Sequence, residues 1–280
     1  MLITSNSSTN NIDVIQRNNV KISGQGNQVI VLAHGFGCDQ SMWSYLLPHL
    51  ESNYTVVCFD YVGSGQSQLS LYDPERYTKL EGYALDVIEL LEGLSMSSVI
   101  FVGHSVSSMI GLLASLKRPE LFASLIMVCP SPCFLNIGEE YQGGFEREDL
   151  EELINLMDKN YIGWANYLAP FVMGTGHSEE LTTHLTNSFC STDPTYSKPF
   201  AKATFFSDYR HLLSESKHPC LILQSENDSL ASLDIGQYVH QHLPHSSLEV
   251  IHATGHCLHM THPETVSVYI ERFITQQAKK

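Results

Sequence analysis

Apolar positions along this chain fall into two kinds of run that alternate. Short continuous runs at residues 28–33, 54–60, 99–102, 125–129 and 220–225 have strand length and no polar face, as expected of strands covered on both sides. Between them, apolar residues recur at helical spacing, as in Leu80, Tyr83, Ala84, Val87, Leu90 and Leu91. Asp39 precedes a second such set, Met42, Trp43, Leu46, Leu47 and Leu50, and is placed to cap it. Strand following helix in this way predicts an α/β class with a mostly parallel, doubly wound sheet. Residues 11–22 alternate loosely (Ile12, Val14, then Val20, Ile22) before Gly24-Gln25-Gly26-Asn27, which reads as an edge hairpin. Residues 1–10 are rich in Ser, Asn and Thr and are expected to be disordered.

The pattern changes from Pro130 to about Phe206. Helical, aromatic-rich stretches at 145–160, 162–168, 179–189 and 194–206 carry no strand signature, yet strand pattern returns at 220–225 and 247–251, followed by a terminal helix over 263–276. This predicts a helical cap at 134–206 inserted into a core made of 11–133 and 207–280. Phe134, Tyr161, Trp164, Tyr167, Phe171, Phe189, Phe200, Phe205 and Phe206 are candidates for the inner face of the cap, with about half expected to be helix–helix core.

Composition narrows the functional classes. Against 15 Lys and Arg stand 30 Asp and Glu, a net charge of −15, which opposes binding to nucleic acid or to an anionic membrane. Cysteines at 38, 58, 129, 133, 190, 220 and 257 are odd in number and sit mostly in apolar runs, the pattern of buried thiols in a reducing compartment rather than of a disulfide framework. Neither a secretory leader in residues 1–11 nor an apolar run of membrane-spanning length is present in the sequence, so a cytoplasmic protein is expected.

Candidate chemistry begins at Val99-Ile100-Phe101-Val102-Gly103-His104-Ser105, where strand pattern passes through a sharp turn into the helical pattern Val106, Met109, Ile110, Leu113. A serine at such an elbow is held at a strained backbone angle and displayed at a helix N-terminus that favours negative charge. The usual elbow reads Gly-x-Ser-x-Gly, and here Ser107 replaces the last glycine; the alternative is a plain strand-to-helix turn. His34-Gly35-Phe36-Gly37 closes the 28–33 strand, and its Phe36 N–H, with that of Val106, is placed to bind an oxyanion. Gly63-Ser64-Gly65 lacks the third glycine and the helix start of a dinucleotide loop and reads as a structural loop.

Asp228 and His256 each follow a strand pattern, so the order Ser105, Asp228, His256 is that of a Ser-Asp-His triad, in which the imidazole takes the serine proton and the carboxylate fixes its tautomer. Glu226 and Asp234 are weaker alternatives for the carboxylate, and His104 reads as a support for the turn. The histidines at 252, 256, 259 and 262 also suit a zinc site on a helix face, but Gly255 and Pro263 point to a loop, so no metal or other cofactor is expected. With Phe36, Phe134, Trp164 and Phe205 as pocket residues, the residues describe a serine hydrolase for small apolar substrates. Ser105 argues against the carboxylate-nucleophile dehalogenases and epoxide hydrolases.

The segments His34–Gln40, Phe59–Gly65, Gly103–Ser107, Pro130–Asn136, Asn160–Ala165, Phe189–Pro194 and Gly255–Met260 together resemble the RsbQ-type α/β-hydrolases, bacterial energy-stress regulators similar to the strigolactone and karrikin receptors of plants. The resemblance runs from about residue 17 to the C-terminal region. It implies the α/β-hydrolase fold, Ser105, Asp228 and His256 as the triad, and Phe36 and Val106 as oxyanion donors. It also implies an RsbP-like serine phosphatase with a sensory domain as partner and positive control of a stress sigma factor. Two functions are therefore expected: a serine hydrolase of a small hydrophobic ester, lactone or acyl compound, or a slow or non-catalytic small-molecule receptor whose cap signals to a partner.

Overall fold

The computed structural model describes residues 14–279, so Ile12 and the tail expected to be disordered lie outside the described residues. Its centre is a seven-stranded sheet: β1 (Lys21–Ser23), β2 (Val29–Ala33), β3 (Thr55–Cys58), β4 (Val99–His104), β5 (Phe122–Val128), β6 (Cys220–Asn227) and β7 (Ser246–Thr254). The strand order is β1-β3-β2-β4-β5-β6-β7, and every pairing is parallel except that of β1 with β3. All six residues of β4 are buried, in keeping with the continuous apolar run over 99–102.

Helices separate the strands. α1 (Leu80–Gly93) precedes β4 and α2 (Val106–Lys117) follows it. Four helices stand between β5 and β6: α3 (Arg147–Lys159), α4 (Tyr161–Met173), α5 (Glu179–Ser191) and α6 (Pro194–Phe205). α7 (Leu233–His242) joins β6 to β7, and α8 (Pro263–Gln277) ends the chain. Each of the four inserted helices starts at a polar cap written in the sequence. Glu146 and Asp149 form a capping box for α3, and the side chains of Asn160, Ser178 and Asp193 accept from the Gly163, Leu181 and Thr195 N–H groups.

Two elements differ from expectation. Residues 14–17 form a helical turn, and β1 pairs antiparallel with β3 (Ile22 opposite Val57), not with β2 as an edge hairpin requires. The glycines that signalled a tight turn serve a close approach instead: a Cβ on Gly24 would stand 2.0 Å from the Tyr54 carbonyl oxygen, and one on Gly26 2.0 Å from that of Asn53. The segment capped by Asp39 begins as a 3-10 helix over Gln40–Tyr45 and restarts as one α turn at Leu47–Leu50, because Pro48 has no N–H to continue the ladder.

The connectivity places a crevice. β2 lies between β3 on one side and β4 on the other, so the chain leaves the carboxyl ends of β2 and β4 in opposite directions. Ligands of open α/β sheets bind at such a switch point, and here the two loops that flank it carry Phe36 and Ser105. No helix among the described residues is long and apolar enough to cross a membrane.

Candidate active site

Ser105 stands between β4 and α2 with φ 55° and ψ −121°, a left-handed strained conformation for a residue with a side chain. Its N–H donates to the Val128 carbonyl at 2.8 Å, which fixes the elbow to β5. Gly103 permits the turn, since a Cβ there would lie 2.4 Å from the Ser107 carbonyl oxygen. Ser107, in the position where glycine is usual, is fully buried and bonded: its hydroxyl donates to the His34 carbonyl, and the Tyr61 hydroxyl, 2.9 Å away, donates to it. The serine thus joins the ends of β2 and β4 to the loop after β3, a role the one-letter motif does not announce.

His256 follows β7 and is 2% exposed. Its Nδ1 lies 2.7 Å from Asp228 Oδ2 and 2.9 Å from Oδ1. The Leu230 and Ala231 N–H groups donate to Asp228 Oδ1 at 2.8 and 3.0 Å and hold the carboxylate in place. With Nδ1 committed to the carboxylate, Nε2 carries the lone pair; it is buried and has no partner among the described residues. Ser105 and His256 line one cavity. Glu226 turns outward to the exposed His252, and Asp234 lies in the first turn of α7. Neither meets His256.

Around this pair lies a layer of neutral histidines. His104 Nε2 donates to the His256 carbonyl at 3.0 Å, so His104 supports the histidine loop as well as the elbow. Burial holds its pKa well below the usual imidazole value, and burial lowers that of His34 too. His259, packed between Trp43 and His104 with ring centroids 4.5 and 4.4 Å away, is pushed down to about 3 by burial and by the nearby His256. Of the histidines at 252, 256, 259 and 262, the first meets Glu226, the second Asp228 and the third Trp43 and His104, while His262 Nδ1 lies 2.9 Å from Thr261 Oγ1, so the four do not converge on one point. The one group of possible metal-ligating atoms within 4.8 Å of one another, among the described residues, is Cys129, Asp228 and His256. It draws on the His–Asp pair itself, and burial raises the Cys129 thiol well above its ordinary pKa, so it carries its proton and is a poor ligand.

On the oxyanion side, Val106 is the first residue of α2, and its N–H has no carbonyl one turn back. Phe36 lies in a loop pressed from two directions: a Cβ on Gly35 would stand 2.6 Å from His104 Nδ1, and one on Gly37 (φ +73°) 2.8 Å from the Phe189 ring. Only glycines fit between the elbow below and α5 above.

Phe36, Phe134 and Phe205 line the cavity with Leu168, Val172, Leu185, Phe189, Leu230, Cys38, Cys257 and Thr204. Its free volume is about 30 Å³, and three of the inserted helices, α4 (Leu168, Val172), α5 (Leu185, Phe189) and α6 (Thr204, Phe205), close over the serine. Trp164 stands one layer back, edge-on to Phe36 and stacked on Phe189. Tyr167 and Phe171, expected on an inner face, are 67% and 46% exposed: α4 is apolar nearly all round, so its spacing does not choose a side. The carboxyl end of α4 rests on the histidine loop. The His256 N–H donates to the Val172 carbonyl at 2.8 Å, the Ser229 hydroxyl to that of Phe171 at 2.8 Å, and a Cβ on Gly255 would lie 1.9 Å from the Met173 oxygen. Cys38, Cys257, Leu185, Leu230 and Thr204 gave no sequence signal, since each reaches the cavity from a different segment.

Comparison with known proteins agrees with this architecture. Residues 28–263 match the family described as alpha/beta hydrolase fold. A karrikin insensitive 2 receptor of Petunia hybrida is 42% identical over 262 residues, 93% of this chain and 97% of the receptor. A strigolactone esterase of Arabidopsis thaliana is 33% identical over 261 residues, 93% and 97% of the two chains. The structure of a hydrolase from Oleispira antarctica superposes with a TM-score of 0.93 at 56% identity, covering 95% of this chain and 97% of that one. The match over most of the length, on a sheet of this order, shows that the chain belongs to the α/β-hydrolase-fold family and is homologous to the karrikin and strigolactone receptor hydrolases.

Proposed function

We propose that the protein is a serine hydrolase that cleaves small hydrophobic esters, lactones or related acyl compounds, with Ser105, His256 and Asp228 as its triad. One observation carries the reading: a serine strained at φ 55° shares a closed apolar cavity with a histidine whose Nδ1 is held by a buried carboxylate and whose Nε2 is free. In this mechanism Ser105 Oγ attacks the acyl carbon while its proton passes to His256 Nε2. The carbonyl oxygen, now an oxyanion, takes hydrogen bonds from the Phe36 and Val106 N–H groups. His256 then gives the proton to the departing alkoxide, leaving an acylated serine. Water repeats the sequence, with its proton going to Nε2 and back to Ser105. Asp228 keeps Nδ1 protonated throughout. Residues 134–206 act as the cap that excludes bulk water.

The finer reading is an enzyme embedded in signalling: a cytoplasmic positive regulator of a stress sigma factor, working with an RsbP-like phosphatase that bears a sensory domain. The cap and loop segments that resemble RsbQ-type proteins support it, as do the free thiols. The small volume of the closed cavity and the bonding of α4 to the histidine loop favour a second reading, a slow-turnover receptor whose cap reports occupancy to a partner. A fluorophosphonate probe that labels the wild type and spares Ser105→Ala supports the hydrolase; equal labelling of both overturns it. If purified protein stimulates the phosphatase and Ser105→Ala does not, turnover is the signal. Equal stimulation selects the receptor.

A further inference from the structure

Three residues that line the cavity carry a buried side-chain atom with no hydrogen-bond partner among the described residues: His256 Nε2, His104 Nδ1 and Thr204 Oγ1. The first has a place in the proposed chemistry, and the second is pressed against Gly35. Thr204 remains. It lies near the end of α6, 2% exposed, and belongs to neither the elbow nor the histidine loop.

A helical threonine ordinarily disposes of its hydroxyl by donating to the carbonyl one turn back. Thr186 does so to Thr182, Thr192 to Ser188 and Thr261 to Cys257. Thr204 does not. Its hydroxyl is instead left in a wall otherwise made of Phe134, Leu168, Leu185, Phe189, Phe205 and Leu230. A buried hydroxyl without a partner is unfavourable, whereas valine has the same shape without that cost. A hydroxyl left without a partner on a residue that lines the cavity has the bound molecule as its available partner.

Resting on the hydrolase reading of Ser105, we infer that Thr204 is a specificity residue whose hydroxyl donates to a second oxygen of the substrate, so that the site selects oxygenated acyl compounds over plain aliphatic ones. The scissile carbonyl sits at Ser105 and the amides of Phe36 and Val106. The second oxygen, an ether or ketone further along the acyl part, meets Thr204 on the cap. Such a contact rejects analogues that lack the oxygen, because the analogue leaves the hydroxyl buried and unpaired.

The test compares 4-nitrophenyl hexanoate with the 3-ethoxypropanoate, 4-methoxybutanoate and 5-oxohexanoate esters, which keep chain length and move one oxygen along it. In wild type, kcat/KM for at least one oxygenated ester exceeds that for hexanoate. Thr204→Val lowers that ratio about threefold to tenfold, and Thr204→Ser restores it. Thr204→Val also melts at a temperature no lower than wild type. A valine variant that slows all four esters by one factor, or a serine variant that restores nothing, overturns the assignment. The same esters are then used as ligands in thermal-shift titrations of Ser105→Ala with and without Thr204→Val. Discrimination there without turnover in wild type keeps the subsite and rejects the hydrolase; turnover lost in Ser105→Ala with no discrimination by Thr204 does the reverse.

Discussion

Replacing Ser107 with alanine removes one oxygen from the back of the elbow and strands two groups. The His34 carbonyl loses the hydroxyl that donates to it, and the Tyr61 hydroxyl, on a side chain with no exposed surface, loses its acceptor. Neither is near bulk water. Leaving a buried polar group unpaired costs roughly 1–3 kcal/mol, so two groups put the loss at about 2–6 kcal/mol. For a chain of this length each kcal/mol corresponds to roughly 2–4 °C, giving a fall in Tm of about 4–24 °C. Tyr61→Phe alone is milder, about 1 kcal/mol, because Ser107 keeps its bond to His34. In the double variant the tyrosine hydroxyl is no longer stranded, so the two losses sum to less than their parts by about 1 kcal/mol. Urea unfolding of the four proteins closes this cycle. Ser107→Gly, which writes the usual Gly-x-Ser-x-Gly motif, is expected to destabilise at least as much as alanine, since it removes the same oxygen and adds backbone freedom. A stable Ser107→Gly variant, or additivity within the cycle, refutes the view that this serine is held by its bonds rather than tolerated for its size.

Asp228→Asn preserves shape but leaves His256 in the wrong tautomer, and kcat for a 4-nitrophenyl ester is expected to fall about 10³–10⁴-fold with the melting temperature changed by only a few degrees. Gly37→Ala places a methyl against Phe189 at a left-handed position and is expected to cost about 1–3 kcal/mol while lowering turnover, read by thermal melts and ester kinetics. His259 binds its proton in the unfolded chain near pH 6.5 but only near pH 3 when folded, so stability is full above pH 6.5 and falls as the pH drops toward 3. The gap of about 3.5 units is worth roughly 4–5 kcal/mol, and His259→Asn is expected to flatten that arm of the stability curve measured by urea unfolding. An unchanged slope between pH 6 and 4 refutes it.

What the sequence reveals depends on how many segments a feature needs. The elbow is legible because one stretch contains the whole event, apolar run, Gly-His-Ser turn and helical spacing. Asp228 and His256 are found by their place after strands, with no contact between them visible until the sheet aligns the ends of β6 and β7. The inserted helices are equally plain, since residues 145–206 keep helical spacing and carry no strand run. Their facing is not: α4 is apolar on nearly every side, which hides that Tyr167 and Phe171 look outward and that Trp164 backs the wall. Gly24 and Gly26 misled for a related reason, as a glycine needed for contact with residues 51–54 reads identically to one needed for a turn.

The bond from the His256 amide to the Val172 carbonyl ties α4, above the cavity, to the loop that carries the proposed base. Lifting α4 to admit a substrate pulls directly on the backbone that carries the imidazole, and through it on the alignment with Asp228. On the proposed mechanism this makes α4 and the imidazole an interlock, in which the door must shut before the current flows.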